Sequence, residues 1–130
     1  MQVLLDTHAW VWSFLDDPML SRGARQAIAG ADAVFVSPVS LFEISQKVRI
    51  GKWPEMADRL DSLPGMLAEQ GGLSATLTLE AAVYAGALEW THRDPFDRIL
   101  AATAVLGGLA LVSGDTTFDS FPDPGLNRVW

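Results

Sequence analysis

The sequence predicts an α/β domain built on a mostly parallel sheet, and three observations predict it. Short apolar runs at Val3-Leu4-Leu5, Val34-Phe35-Val36 and Leu109-Ala110-Leu111-Val112 are separated by stretches of helical periodicity. That alternation is the pattern of strands joined by crossover helices. The segment from Pro95 to Leu106 is apolar almost all round, as a helix buried on a sheet is. The longest apolar stretch, Ile99 to Val112, is too short to span a bilayer, and Gly107-Gly108 divides it into a helix and a strand.

Taken in order, Gln2 to Leu5 reads as a first strand and Thr7 to Leu15 as a helix stopped near Asp16-Asp17-Pro18. Ser21 to Ala29 reads as a second helix, with Ser21 as N-cap and Gly30 as its end. Ala33 to Val36 is a strand. Ser37-Pro38 opens the next helix, with the hydroxyl as cap and proline in the first turn, and its apolar face carries Leu41, Ile44 and Val48. Trp53-Pro54 begins a less regular helical stretch, broken near Pro64-Gly65 and closed by Gly71-Gly72. Leu73 to Leu77 reads as a short strand and Thr78 to Trp90 as an alanine-rich helix. Asp94-Pro95 opens the helix to Leu106, Leu109 to Val112 is a strand, and Arg128 to Trp130 a last edge strand. Five short strands and their helices make three α/β/α layers, and the 130 residues form one domain, 1–130, with one core.

The chain is 49% hydrophobic and 19% charged, and 9 basic against 16 acidic residues give a net charge of −7. Broad electrostatic attraction to nucleic acid is not expected from that balance. There is no cysteine, which excludes disulfides, thiolate zinc sites and a cysteine nucleophile and fits a reducing cytoplasm. Met1-Gln2 runs straight into a strand, so a secretory signal is not expected.

The chemistry lies in four dispersed acids. Asp6 ends the first strand, Glu43 lies early in the helix after the second, Asp97 sits in the first turn of the apolar helix, and Asp115 follows the last strong strand. Right-handed crossovers bring strand ends and helix starts to the same edge of the sheet, where open α/β sheets bind ligands. Each acid also has a local role open to it. Asp6 can cap a helix, Asp94 and Asp97 form a capping-box pattern, Glu43 can pair with Lys47, and Asp115 can close a turn. Asp97, however, shares its face with Leu100, Ala101 and Ala104, and Arg98 points about 100° away. Four carboxylates brought together repel unless a cation joins them. Oxygen ligands without cysteine or paired histidine favour Mg²⁺ or Mn²⁺; His8 and His92 are not spaced as a zinc site. Thr7, Ser113 and Thr116 are candidates to orient ligands or waters. Trp10 and Trp12 cannot share a helix face, so one of them is expected to meet a partner. The five tryptophans read as core or interface rather than as base-stacking platforms.

Four segments in series resemble the PIN-domain family, closest to VapC-type toxins. They are Leu4-Leu5-Asp6-Thr7-His8, Val39-Ser40-Leu41-Phe42-Glu43-Ile44, His92 to Ala104 with its Asp94-Pro95-Phe96-Asp97 core, and Leu111-Val112-Ser113-Gly114-Asp115. The resemblance covers essentially the whole chain. It implies a PIN-like fold and a Mg²⁺- or Mn²⁺-dependent ribonuclease that cleaves RNA, with a cognate antitoxin and a possible homodimer. Asp6, Glu43, Asp97 and Asp115 match the family's acidic positions. Ser113 stands where the family commonly has threonine, and Asp94 is an additional acid whose role is open between cap, outer shell and ligand. Lys47, Arg49, Lys52, Arg93 and Arg98 are candidates to guide RNA. Two other classes are weighed: a PIN-like module that binds without cleaving, and another metal-dependent phosphoryl-transfer domain. The second lacks an Asp-x-Asp after the first strand and a late lysine.

Overall fold

A computed structural model describes all residues, Met1 to Trp130. The strands are β1 (Gln2–Leu5), β2 (Ala33–Val36), β3 (Leu73–Ser74), β4 (Ala110–Val112) and β5 (Arg128–Val129), in the order β3-β2-β1-β4-β5. Every pairing is parallel, with Leu5 opposite both Val36 and Val112. The sheet is therefore wholly parallel rather than mostly so. The helices are α1 (Thr7–Leu15), α2 (Arg22–Ala29), α3 (Pro38–Arg49), α4 (Leu63–Glu69), α5 (Leu79–Ala87) and α6 (Pro95–Gly107), with 3₁₀ turns at Pro54–Ser62 and Thr116–Ser120. No helix is long and apolar enough to cross a membrane.

Strand alternation explains the three layers. On β1, Val3 and Leu5 face one way and join Trp10, Val11, Ile44, Met56 and Leu63. Leu4 faces the other way and joins Leu100, Ala101, Ala104 and Leu111. A strand with both faces covered must be apolar throughout, and Val3, Leu4 and Leu5 are each buried. Helix α6 buries five consecutive residues, Leu100 to Ala104, which its small side chains permit against α5 and the sheet. Ser21, Ser37 and Thr78 cap α2, α3 and α5 by accepting from Ala24 N, Val39 N and Ala81 N.

One reading is sharpened and two boundaries depart from the sequence reading. The less regular helical stretch from Pro54 is a 3₁₀ turn, and the break near Pro64 falls between Ser62 and Leu63. Pro64 occupies the first turn of α4, where its missing N–H costs nothing. Strand β3 stops at Ser74 because Ala75 N closes the ladder on Val36 O at 2.9 Å and Thr78 must then cap α5. Helix α5 ends at Ala87, three residues short of Trp90, where Leu88 turns extended. The cause is Arg98. Its guanidinium donates to the carbonyls of Ala85 (2.8 Å), Trp90 (3.1 Å) and His92 (2.9 Å), and to that of Leu88. Carbonyls supplied in this way need no further helical turn. Expected to guide RNA, Arg98 instead commits these donors to the α5–α6 connection.

Removing that clamp leaves four carbonyls short of a donor. Arg98→Ala is expected to cost about 2–4 kcal/mol in urea unfolding; a loss below about 0.5 kcal/mol would show that the connection is held by packing alone.

Candidate metal centre at the carboxyl edge of the sheet

Each acid is delivered by an element whose start or end the sequence dictates. Asp6 leaves the central strand β1, extends the ladder through its N–H to Val112 O at 3.0 Å, and caps α1 by accepting from Ala9 N at 2.7 Å. Glu43 lies one turn into α3 and is buried. Asp94 caps α6, accepting from Phe96 N at 2.9 Å and Asp97 N at 3.3 Å. Asp115 leaves β4 and caps the 3₁₀ turn, accepting from Thr117 N at 2.9 Å. The local roles of Asp6, Asp94 and Asp115 are thus real, and they coexist with convergence. Asp6, Glu43, Asp94, Asp97 and Asp115 all line one cavity of about 490 Å³.

The polar scaffold around them is buried. Thr7 Oγ1 lies 2.6 Å from Glu43 Oε1 and 2.9 Å from Ser40 Oγ. One hydroxyl proton cannot serve both; with the carboxylate accepting it, Ser40 is the donor of the second bond. Ser113 is fully buried and accepts from Asp115 N at 3.0 Å, and its hydroxyl draws the Asp6 pKa down. Thr116 is exposed and outside the cavity wall; Thr117, one residue on, makes the contact to Asp115. Lys47 Nζ reaches Glu43 Oε2 at 2.9 Å and sits 5.6 Å above the Trp53 ring. Arg49, Lys52 and Arg93 are exposed and lie outside the cavity wall.

Asp97 has a partner that sequence reasoning missed. His92 Nε2 lies 2.7 Å from Asp97 Oδ2. His92, Asp94 and Asp97 each present a ligand atom within 4.8 Å of the others. Only the Arg98 clamp folds His92 back, so spacing along the chain could not reveal it. His8, also on the cavity wall, carried one available signal, its place two residues after Asp6. The remaining wall is apolar, from Trp12, Met19 and Trp130. Trp10 and Trp12 do lie on different faces. Trp10 is buried with Nε1 donating to Gln70 Oε1 at 3.0 Å, while Trp12 meets His8 and Trp130 at the cavity rather than standing exposed for a partner.

The electrostatics fit a cation. Burial pushes the Asp6 carboxyl up against the opposing pull of Ser113, Ala9 N and His8, with Glu43 adding to the rise. Burial likewise raises Asp97 to about 6, with Asp94 and Glu43 adding to the rise and His92 working against it. Asp115 is partly buried, which favours the neutral form, but hydrogen bonds from Thr117 and the charges of His92 and Arg128 outweigh it and lower the pKa. Asp6, at the centre, has no Lys or Arg within salt-bridge distance. A set rich in carboxylate oxygens, with Asp6 and Glu43 buried and one lysine on the cavity wall, suits a divalent ion. Asp6, Asp97, Asp115 and Glu43 would hold it.

A parallel α/β domain with convergent carboxylates at the carboxyl edge of its sheet defines the class. Residues 3–124 match the PIN domain. The chain belongs to the PIN domain family. It is 34% identical to Ribonuclease VapC22 of Mycobacterium tuberculosis, covering 98% of each chain. Its fold matches the VapBC2 complex of Rickettsia felis bound to a promoter DNA fragment (TM-score 0.69, 17% identity, 98% of this chain and 97% of that one). It also matches DNA-bound VapBC of Salmonella typhimurium (TM-score 0.68, 21% identity, 98% and 96%).

An ordinary aspartate titrates at 3.8 and Asp97 at about 6. Between those values the folded state binds more protons, so ionising Asp97 costs stability as pH rises, about 3 kcal/mol at pH 7. Asp97→Asn is therefore expected to raise the Tm of the metal-free protein by several degrees at pH 7, with the gain shrinking towards pH 4. Mg²⁺ should raise the Tm of the native chain more than that of the variant. Calorimetry checks both, and an unchanged Tm for the metal-free variant at pH 7 removes the electrostatic reading.

Proposed function

We propose that this chain is a metal-dependent endoribonuclease, the toxin of a toxin–antitoxin pair, and that it hydrolyses RNA phosphodiester bonds at the carboxylate cavity with Mg²⁺ or Mn²⁺. The observation that carries this reading is convergence: acids from positions 6, 43, 97 and 115 line one cavity. The identity to Ribonuclease VapC22 across nearly the full length of both chains supports it, and the fold shared with VapBC complexes accords with an antitoxin partner.

When bound, the ion supplies Lewis-acid chemistry, lowering the pKa of water and stabilising charge on phosphate oxygens. The chain's own groups position the rest. Thr7 and Ser40 fix Glu43, which is placed to orient the attacking water. His92 holds Asp97, and the Asp94 cap fixes the first turn on which Asp97 sits. Lys47 stands at the cavity wall as the cation facing an incoming phosphate. Arg49, Lys52 and Arg93, exposed on the surface, offset the net charge of −7 for an approaching RNA backbone. A binding module without turnover is disfavoured because all four acids reach the cavity.

Incubating the purified, antitoxin-free protein with total cellular RNA, with Mg²⁺, Mn²⁺ or EDTA, and sequencing new ends is the direct test. Discrete ends that need metal and vanish in Asp6→Asn are expected; metal-independent ends, or none, would sink the ribonuclease reading. Replacing Arg49 and Lys52 together by Gln should raise KM and flatten its salt dependence. Unaltered salt dependence would remove these two from RNA guidance.

A further inference from the structure

The cavity is lined by two unlike kinds of group. Beside the carboxylates, its wall carries Trp12, Trp130, Met19 and His8. The aromatic groups continue outward: His8 stacks on Trp53 at 4.9 Å and 22°, and meets Trp12 at 5.4 Å, while Trp12 meets Trp130 at 6.0 Å. These rings are built in rather than incidental. A Cβ on Gly114 would lie 2.9 Å from Trp130 Cε2 and Cζ2, so the indole packs directly on the turn that carries Asp115. A Cβ on Gly23 would meet Trp130 O at 2.6 Å, which holds the same residue from the α2 side.

The tryptophans also divide by their N–H groups. Trp10 Nε1 donates to Gln70 and Trp90 Nε1 to Ser120 Oγ, at 3.0 and 2.9 Å. Trp12, Trp53 and Trp130, the three around the cavity, have no such protein acceptor. Trp12, Trp53 and Trp130 also pack against the core, but each stays half-buried, with its N–H unpaired within the protein.

Resting on the ribonuclease reading, we propose that Trp12 and Trp130, with His8 and Trp53 extending the shelf, form a subsite for the unpaired nucleobase of a nucleotide flanking the scissile phosphate. Continuity with the carboxylates selects this occupant. A phosphate at the acids with Lys47 beside it leaves the adjoining base at the rings, and stacking on aromatic side chains is how proteins hold splayed RNA bases. Trp12 and Trp130 are specificity-determining by this assignment, contrary to the expectation that the tryptophans serve only core or interface.

The test uses a short RNA hairpin carrying the cleavage site mapped in total RNA, with each base flanking the cut replaced in turn by an abasic nucleotide. One abasic position should raise KM for the native protein by roughly tenfold to a hundredfold with little change in kcat. The same substitution should cost Trp130→Leu or Trp12→Leu almost nothing, and Trp130→Phe should restore most of the dependence. Equal abasic effects in native and variant proteins overturn the subsite. Unchanged RNA kinetics in Trp130→Leu with a weakened antitoxin complex overturn it too, and assign the shelf to the protein partner. Absence of any metal-dependent cleavage by the native protein is a different failure, that of the ribonuclease reading beneath it.

Discussion

The domain is organised around burying one charge. Asp6 must follow the central strand, because β1 is the only strand paired on both sides by strands of comparable length. That position places the carboxylate among covered layers, where water solvates it poorly. Its surroundings answer this cost. The N-terminus of α1 supplies Ala9 N and the end of β4 brings Ser113. Glu43, Asp97 and Asp115 then add negative charge instead of relieving it. A fold seeking stability alone would have placed an arginine there.

That tension explains why helix caps and site residues coincide. Asp6, Asp94 and Asp115 each accept from backbone N–H groups two or three residues on. A cap fixes a carboxylate oxygen against a rigid backbone and leaves the second oxygen free. Glu43 and Asp97, which cap nothing, are steadied by side chains instead, Thr7 and His92. Two unrelated devices thus give one result, carboxylates that stay in place while mutually repelling.

Much of this was legible in the sequence. Acids directly after apolar runs, as at Asp6 and Asp115, announce strand ends, and parallel crossovers require such ends to share an edge. Ser37-Pro38 and Asp94-Pro95 marked their helices to the residue. What escaped was set by tertiary contacts. The end of α5 and the position of His92 depend on where Arg98 sends its donors, which no local propensity encodes. Thr116 was expected beside Asp115, but a 3₁₀ turn hands that contact to Thr117. The meeting of Trp12 with Trp130 joins residues over a hundred positions apart, so each read as a lone aromatic.

The seating of Trp130 on Gly114 has a consequence for synthesis. The carboxylates emerge from the ribosome at positions 6, 43, 97 and 115, but Trp130, which packs on the turn before Asp115, comes only after β5. A nascent chain halted before that point carries the acids without Trp130 beside them, and the outer edge of β4 has no β5 to pair with. The aromatic side of the cavity is thus assembled from two residues more than a hundred positions apart, Trp12 and Trp130.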